Sequence, residues 1–181
     1  MDFALTDEQE LLLESVREFC DRYFTDDVVK EMYENGGMPD EIAEAYRDAG
    51  FGLMGIPEEY GGIPADKVTL GLMIEELYHS AGCMHILYQN SLSMFDIMEF
   101  GTEEQKARFL PDLAAGRKLA GFALTEPEAG SDAYNLRSRA VLQPDGSWKL
   151  NGEKRYIGNG SKGDVFVTFA RTEHDGEERH T

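Results

Sequence analysis

A chain of 181 residues with 41% hydrophobic and 29% charged content has the make-up of a globular protein and the length of one ordinary domain or two small ones. Its formal net charge of -18 argues against a nucleic-acid partner, which would need Lys and Arg to neutralise phosphates; it suits an acidic, well-solvated surface or one that attracts a basic partner. No run approaches about 18 consecutive apolar residues, so no membrane span is expected, and the start Met1-Asp2-Phe3-Ala4 has no basic, apolar leader, so a cytoplasmic location is expected.

The first two-thirds read as helices. Thr6-Asp-Glu-Gln9 is a capping box, followed by Leu12, Val16, Phe19 and Tyr23 at helical spacing. A second helix is predicted from about Pro39 to Ala49, with Ile42, Ala45, Tyr46 and Ala49 on one face and Gly50 as a left-handed stop. Gly55 to Gly62 reads as a turn-rich loop with glycines at positive φ. A third helix is predicted over Ala65 to Ala81, closing at Gly82, and a fourth over Cys83 to Phe100, closing at Gly101. Thr102-Glu-Glu-Gln105 is a second capping box opening a short amphipathic helix with Phe109 and Leu113.

After Gly116 the period changes to that of strands. Leu119 to Leu124 reads as a buried strand, and Arg137 to Leu142, Trp148 to Leu150, Glu153 to Ile157 and Val165 to Arg171 as further short strands. Pro144-Asp-Gly146 and Asn151-Gly152 are hairpin signals, the latter suited to a type I′ turn. The polar tail from Thr172 to Thr181 is expected to be frayed. The fold class is therefore α+β: an all-α domain over 1–117, then an incomplete antiparallel β domain over 118–181. Its unpaired strand edges are an aggregation liability.

Cys20 and Cys83 form no CxxC or Cys/His cluster, so two buried free thiols are expected and no metal site. His79, His85, His174 and His180 have no metal-ligand spacing, and Glu75-Glu76 reads as a solvated pair. No Ser-His-Asp arrangement, HExxH or P-loop is present. In Phe122-Ala-Leu-Thr-Glu-Pro-Glu-Ala-Gly-Ser-Asp132, Pro127 fixes one φ angle, Gly130 permits close backbone approach, and Thr125 and Ser131 offer hydroxyls. Turn N–H groups there can form an anion-binding concavity. On this chemistry alone, both a phosphate-bearing cofactor at a strand end and an ordinary strand-to-turn connection remain open.

That segment resembles, at nearly every position, the first signature of the flavin-dependent acyl-CoA dehydrogenases. Similarity extends to the Leu-Thr-Asp-Glu-Gln opening, Ile56 to Gly62, Gly101 to Gln105, and Asn151-Gly-Glu-Lys-Arg-Tyr-Ile-Gly-Asn159, which matches the family's second flavin-contacting stretch. The resemblance implies FAD as cofactor, with Phe122, Leu124 and Thr125 at the flavin ring. Gly130 and Ser131 would lie near the pyrophosphate, and Tyr156, Ile157 and Gly158 beside the ring. Family members often carry Thr where this chain has Gly158, Trp where it has Tyr156, and a small residue where it has Asn135. The fourth helix matches the acyl-pocket helix, and Leu87-Tyr-Gln89 resembles the crotonobetainyl-CoA reductase-like subgroup. Ser131, Tyr88 and Gln89 are accordingly the expected acyl-CoA contacts.

What the resemblance implies for function is α,β-dehydrogenation of an acyl-CoA thioester, or the reverse enoyl-CoA reduction. An electron-transferring flavoprotein would be the redox partner, and a full-length form would be a homotetramer. The family's catalytic base is a Glu of a C-terminal helical domain, so no catalytic residue is expected here. The resemblance spans this whole chain but about the N-terminal half of a typical member, which implies a portion inactive alone. A non-catalytic FAD- or CoA-binding module, or a remnant, is the alternative.

Overall fold

The capping box forms as the spacing Thr-x-x-Gln predicts: the Gln9 N–H donates to Thr6 Oγ1 at 3.2 Å and the Thr6 N–H to Gln9 Oε1 at 3.1 Å. The helix it opens, α1 (Asp7–Tyr23), carries Asp7, Glu8 and Glu10 in its first turn and Arg22 in its last, complementing the helix dipole. The computed structural model describes residues 4–35, 38–82, 90–174 and 177–180. The described helices continue with α2 (Asp26–Asn35), α3 (Asp40–Asp48), α4 (Lys67–Ala81), α5 (Asn90–Phe100) and α6 (Glu103–Ala114). The part of the expected fourth helix before Asn90 lies outside the described residues, as does Cys83.

Two compact units emerge from the backbone, one comprising Met1–Tyr88 with Glu103–Arg117, the other Gln89–Thr102 with Lys118–Thr181. In the first, α1 packs along α4. Val16 and Cys20 of α1 and Met73 and Leu77 of α4 are fully buried. Phe19 sits at the centre of an aromatic group, its ring 4.9 Å from Tyr23, 5.3 Å from Phe51 and 6.1 Å from Tyr46. Polar contacts flank this seam: Gln9 Nε2 donates to Thr69 Oγ1 at 3.0 Å, and Arg17 pairs with Glu76 at 2.7 Å. The Asp66 carboxylate caps α4 through the Val68 and Thr69 N–H groups, and Gly82 ends that helix at φ 63°.

α2 was not expected from the sequence. It buries only Met32, so its apolar stripe is too thin to stand out among Asp26, Asp27, Lys30, Glu31 and Glu34. In the turn-rich loop, Gly55 and Gly61 take positive φ, whereas Gly62 does not. Gly62 is required instead by close approach: a Cβ there would sit 2.3 Å from the Ile56 carbonyl oxygen.

The second unit contains β1 (Ala120–Ala123), β2 (Arg139–Leu142), β3 (Trp148–Asn151), β4 (Val165–Thr168), β5 (Arg171–His174) and β6 (Glu177–His180). The pairing is mixed. β1 pairs with β4 in parallel, and a second sheet runs β3-β2-β5-β6, with β2–β3 and β5–β6 antiparallel and β2–β5 parallel. α5 packs on β1 and β4.

Four local expectations are corrected. The predicted strand over Glu153 to Ile157 is irregular backbone. Asn151-Gly152 makes no hairpin, because Asn151 ends β3 opposite Arg139. The β2–β3 turn is made by Pro144-Asp-Gly146, with Gly146 at φ 83° and the Ser147 N–H capped by the Asp145 carboxylate. Val165 to Arg171 is two strands, since the chain passes from β1 to β2: the Phe169 N–H donates to Ala123 O and the Arg171 N–H to Ser138 O. The described residues of the tail, 172–174 and 177–180, are paired rather than frayed, with Thr172 opposite Arg179 and His174 opposite Glu177.

Candidate functional site

Strand β1 has two edges, and its backbone carbonyls alternate between them. The carbonyls of Leu119 and Ala123 accept from the β4 side, through the N–H groups of Val165 and Phe169. The carbonyls of Ala120 and Leu124 point the other way. There Ala120 O accepts from Asn159 Nδ2 at 2.8 Å and Leu124 O from Lys154 Nζ at 2.9 Å. The irregular segment 154–159 therefore runs along the edge of β1 that no strand occupies among the described residues. Where the chain leaves β1, the Arg155 N–H donates to Thr125 O at 2.8 Å, joining the two candidate stretches backbone to backbone.

A buried ion pair reinforces the junction. Lys154 Nζ lies 2.8 Å from Glu126 Oε1, with side-chain exposures of only 12% and 5%. Glu126 also accepts from the N–H groups of Arg137 and Ser138. Burial, the largest single influence, pushes the Glu126 carboxyl up, but the Lys154 ammonium, the Ser138 side chain and the Arg137 and Ser138 N–H groups together outweigh it. The carboxyl is held at about 2, against an ordinary 4.5. Beyond it, Glu126-Pro-Glu-Ala129 is a tight turn closed by the Glu126 N–H to Ala129 O at 2.9 Å. Arg137 and Glu128 make an ion pair across that turn.

The geometry thus brings Thr125 beside the stretch that carries Tyr156, Ile157 and Gly158, with Phe122 and Leu124 on the same strand. Phe122 is half-buried, its ring 5.2 Å from that of Phe169. Leu124, Thr125 and Ile157 are half-buried and Gly158 is exposed; a Cβ added to Gly121 would meet Gly158 O at 3.0 Å. Tyr156 is 91% exposed and adopts φ 59°, a conformation that costs a non-glycine residue strain; Asn159 has the same φ. Gly130 and Ser131 are exposed at the end of the turn. Gly130 is not at positive φ, and a Cβ there would meet nothing within 4 Å. Neither conformation nor protein packing demands that glycine, so it leaves an open approach to the backbone.

Tyr88 and Gln89, the expected substrate contacts, lie outside the described residues. On α5, Ser93 is fully buried and burial pushes the Asp96 carboxyl above its usual range. Sequence reasoning missed Glu126, Lys154 and Asn159 as the residues that hold the site. The signal available was opposite charge in two apolar-flanked motifs, Glu126 in one and Lys154 in the other. A dinucleotide fits the donors present: an open backbone at Gly130, hydroxyls on Thr125 and Ser131, and an exposed aromatic at Tyr156.

The family model described as "Acyl-CoA dehydrogenase, N-terminal domain" matches residues 6–117, and that described as "Acyl-CoA dehydrogenase, middle domain" matches 121–181. A short-chain-specific acyl-CoA dehydrogenase of Clostridium acetobutylicum is 39% identical over 177 residues, covering 96% of this chain and 46% of that protein. A glutaryl-CoA dehydrogenase of Mycobacterium smegmatis, solved with FADH2, superposes with a TM-score of 0.85 at 34% identity, over 97% of this chain and 45% of that one. A chain solved in work on the electron transferring flavoprotein of Acidaminococcus fermentans and flavin-based electron bifurcation gives a TM-score of 0.83 at 35% identity. It covers 96% of this chain and 46% of that one. The chain thus spans about half the length of the relatives it matches.

Proposed function

Because this chain belongs to the acyl-CoA dehydrogenase family, we propose that it supplies the flavin- and thioester-facing surface for oxidation of the Cα–Cβ bond of an acyl-CoA, or for the reverse enoyl-CoA reduction. The observation that carries the reading is the joining of the two stretches along the free edge of β1, through Arg155 to Thr125 and Lys154 to Leu124 and Glu126. FAD, when bound, would take up the β-hydrogen as hydride.

The chain's own residues bind and orient. Thr125, with the backbone beside it, would hydrogen-bond the ring edge, while Phe122, Leu124, Tyr156 and Ile157 supply apolar and aromatic surface against it. Gly158 offers a backbone N–H but no hydroxyl. Gly130 and Ser131 would hold the pyrophosphate, since an unobstructed turn backbone suits an anion. Ser131, Tyr88 and Gln89 are the proposed acyl-CoA contacts. We assign the flavin-facing part to 118–181 and the helical part to 1–117, a division supported by family matches that change over between 117 and 121. No catalytic base is assigned within the 181 residues, so this chain's share is binding and positioning. The proposed electron acceptor is an electron-transferring flavoprotein, supported by the similarity to a chain studied alongside one, and the proposed assembly of a full-length form is a homotetramer.

The test is titration of the purified chain with FAD, following flavin fluorescence. Saturable quenching that weakens in a Thr125→Ala/Ser131→Ala variant is the expected result. No binding by a chain shown to be folded by circular dichroism overturns the reading.

A further inference from the structure

Tyr156 combines two features that ordinarily exclude each other. Its backbone sits in the left-handed region, where a side chain with a Cβ is strained, and the residue is 91% exposed, so packing of its side chain does not compensate for that strain. Something else must hold the backbone there. The hydrogen bonds on either side of Tyr156 identify what does. On the N-terminal side, Lys154 Nζ reaches Leu124 O and Glu126, and the Arg155 N–H reaches Thr125 O. On the C-terminal side, Asn159 Nδ2 reaches Ala120 O, and the Gly163 N–H returns to Asn159 O. Both anchors end on β1 or its immediate continuation. The strained residue is suspended between them.

We infer that Glu126, Lys154 and Asn159 are positioning residues, a two-point latch that fixes the Tyr156 backbone in its strained conformation and presents the ring, already oriented, to the flavin. This rests on the flavin-binding reading of the preceding section. The latch has a third attachment that makes it more than a loop tether. Glu126 also gathers the N–H groups leading into β2, at Arg137 and Ser138. Lys154 therefore couples three segments: the end of β1, the approach to β2, and the Tyr156 loop. Replacing its ammonium frees the loop from the strand and leaves a buried carboxylate unpaired.

The experiment compares wild type with Lys154→Met, Lys154→Arg and Tyr156→Gly in the full chain. It measures FAD affinity by fluorescence quenching, urea unfolding, and hydrogen exchange at the Arg155 amide. The latch predicts at least tenfold weaker FAD binding and loss of Arg155 protection in Lys154→Met, with Lys154→Arg recovering most of both. It predicts that Tyr156→Gly unfolds at higher urea, because glycine accepts this φ without strain, yet binds FAD at least tenfold more weakly. A gain in stability accompanied by a loss of binding is not what a merely structural residue gives.

Unchanged affinity and Arg155 protection in Lys154→Met overturns the inference, as does a Tyr156→Gly variant that binds like wild type. Should Lys154→Met fail to fold, Lys154→Arg and Tyr156→Gly decide. If wild type itself binds no FAD, the functional reading fails. Hydrogen exchange then decides the latch: Arg155 protection lost in Lys154→Met and kept in Lys154→Arg supports it, and protection kept in both overturns it.

Discussion

Glu126→Gln removes one charge from the buried pair while keeping the side chain's size, and the structure gives the size of the effect. A carboxyl held at about 2 in the folded chain, against an ordinary 4.5, contributes about 3 kcal/mol of stability at neutral pH. Because the folded value is depressed, that contribution is complete above about pH 4.5 and fades as the pH falls toward 2. The variant also leaves Lys154 buried without its counter-ion, which places the full cost at about 3–5 kcal/mol. Trp148, the single tryptophan, lies in β3 within the same unit as Glu126, so its fluorescence reports unfolding of that unit. Urea unfolding of wild type and variant should differ by about 3 kcal/mol or more at pH 7, with the gap narrowed by about half of the carboxylate's share at pH 3. Other carboxylates titrate in both proteins and cancel in the difference. A gap below about 1 kcal/mol at neutral pH, or one unchanged at pH 3, would refute the reasoning.

Three further outcomes follow from other parts of the molecule. Gly130→Ala should leave the urea midpoint unchanged, since its Cβ meets nothing within 4 Å, while weakening FAD binding in the quenching titration; equal affinity would remove Gly130 from the site. Leu77→Ala, at a fully buried position of the α1–α4 seam, should cost about 2–5 kcal/mol in urea unfolding followed by far-ultraviolet circular dichroism. Thr6→Ala, which removes one arm of the capping box, should cost about 1 kcal/mol by the same measurement, and a loss below about 0.3 kcal/mol would show that the end of α1 is held by other contacts.

What could be read from the sequence divides along a physical line. α1, α3 and α4 were legible because local rules specify them: the Thr6–Gln9 capping box at α1, apolar residues at helical spacing in α1 and α3, and glycine stops at Gly50 and Gly82. α2 was not, because Met32 alone is buried and charge hides its period. β1 to β4 were legible as strands, but β6 was not, a strand was expected over Glu153 to Ile157 where none forms, and strand partners were not legible. Asn151-Gly152 carries the local signature of a hairpin, yet β3 continues through Asn151 and the turn forms at Gly146, where Asp145 caps Ser147. The same limit applies at the candidate site. The residues from Phe122 to Asp132 and from Asn151 to Asn159 stood out as motifs. The interactions joining them run between residues 28, 30 and 39 positions apart in sequence, and no period or turn rule connects such positions.

That division bears on how the site would work. The backbone of 154–159 is over-determined by contacts with β1, while the groups offered outward, at Tyr156, Gly158, Gly130 and Ser131, are exposed. The ordering of the loop is therefore completed during folding, and a ligand arriving at that surface would not have to order the loop as it binds. A loop arranged this way must carry its strain in the free protein, of order 1–3 kcal/mol for a residue such as Tyr156. The buried Glu126–Lys154 pair is of a size to hold it. Replacing that pair with well-packed apolar side chains could preserve the fold's stability, but it would abandon the directional bonds to Leu124 O and to the Arg137 and Ser138 N–H groups. Under the flavin-binding proposal, what the Glu126–Lys154 pair adds beyond an apolar replacement is orientation of the surface that the ligand would meet.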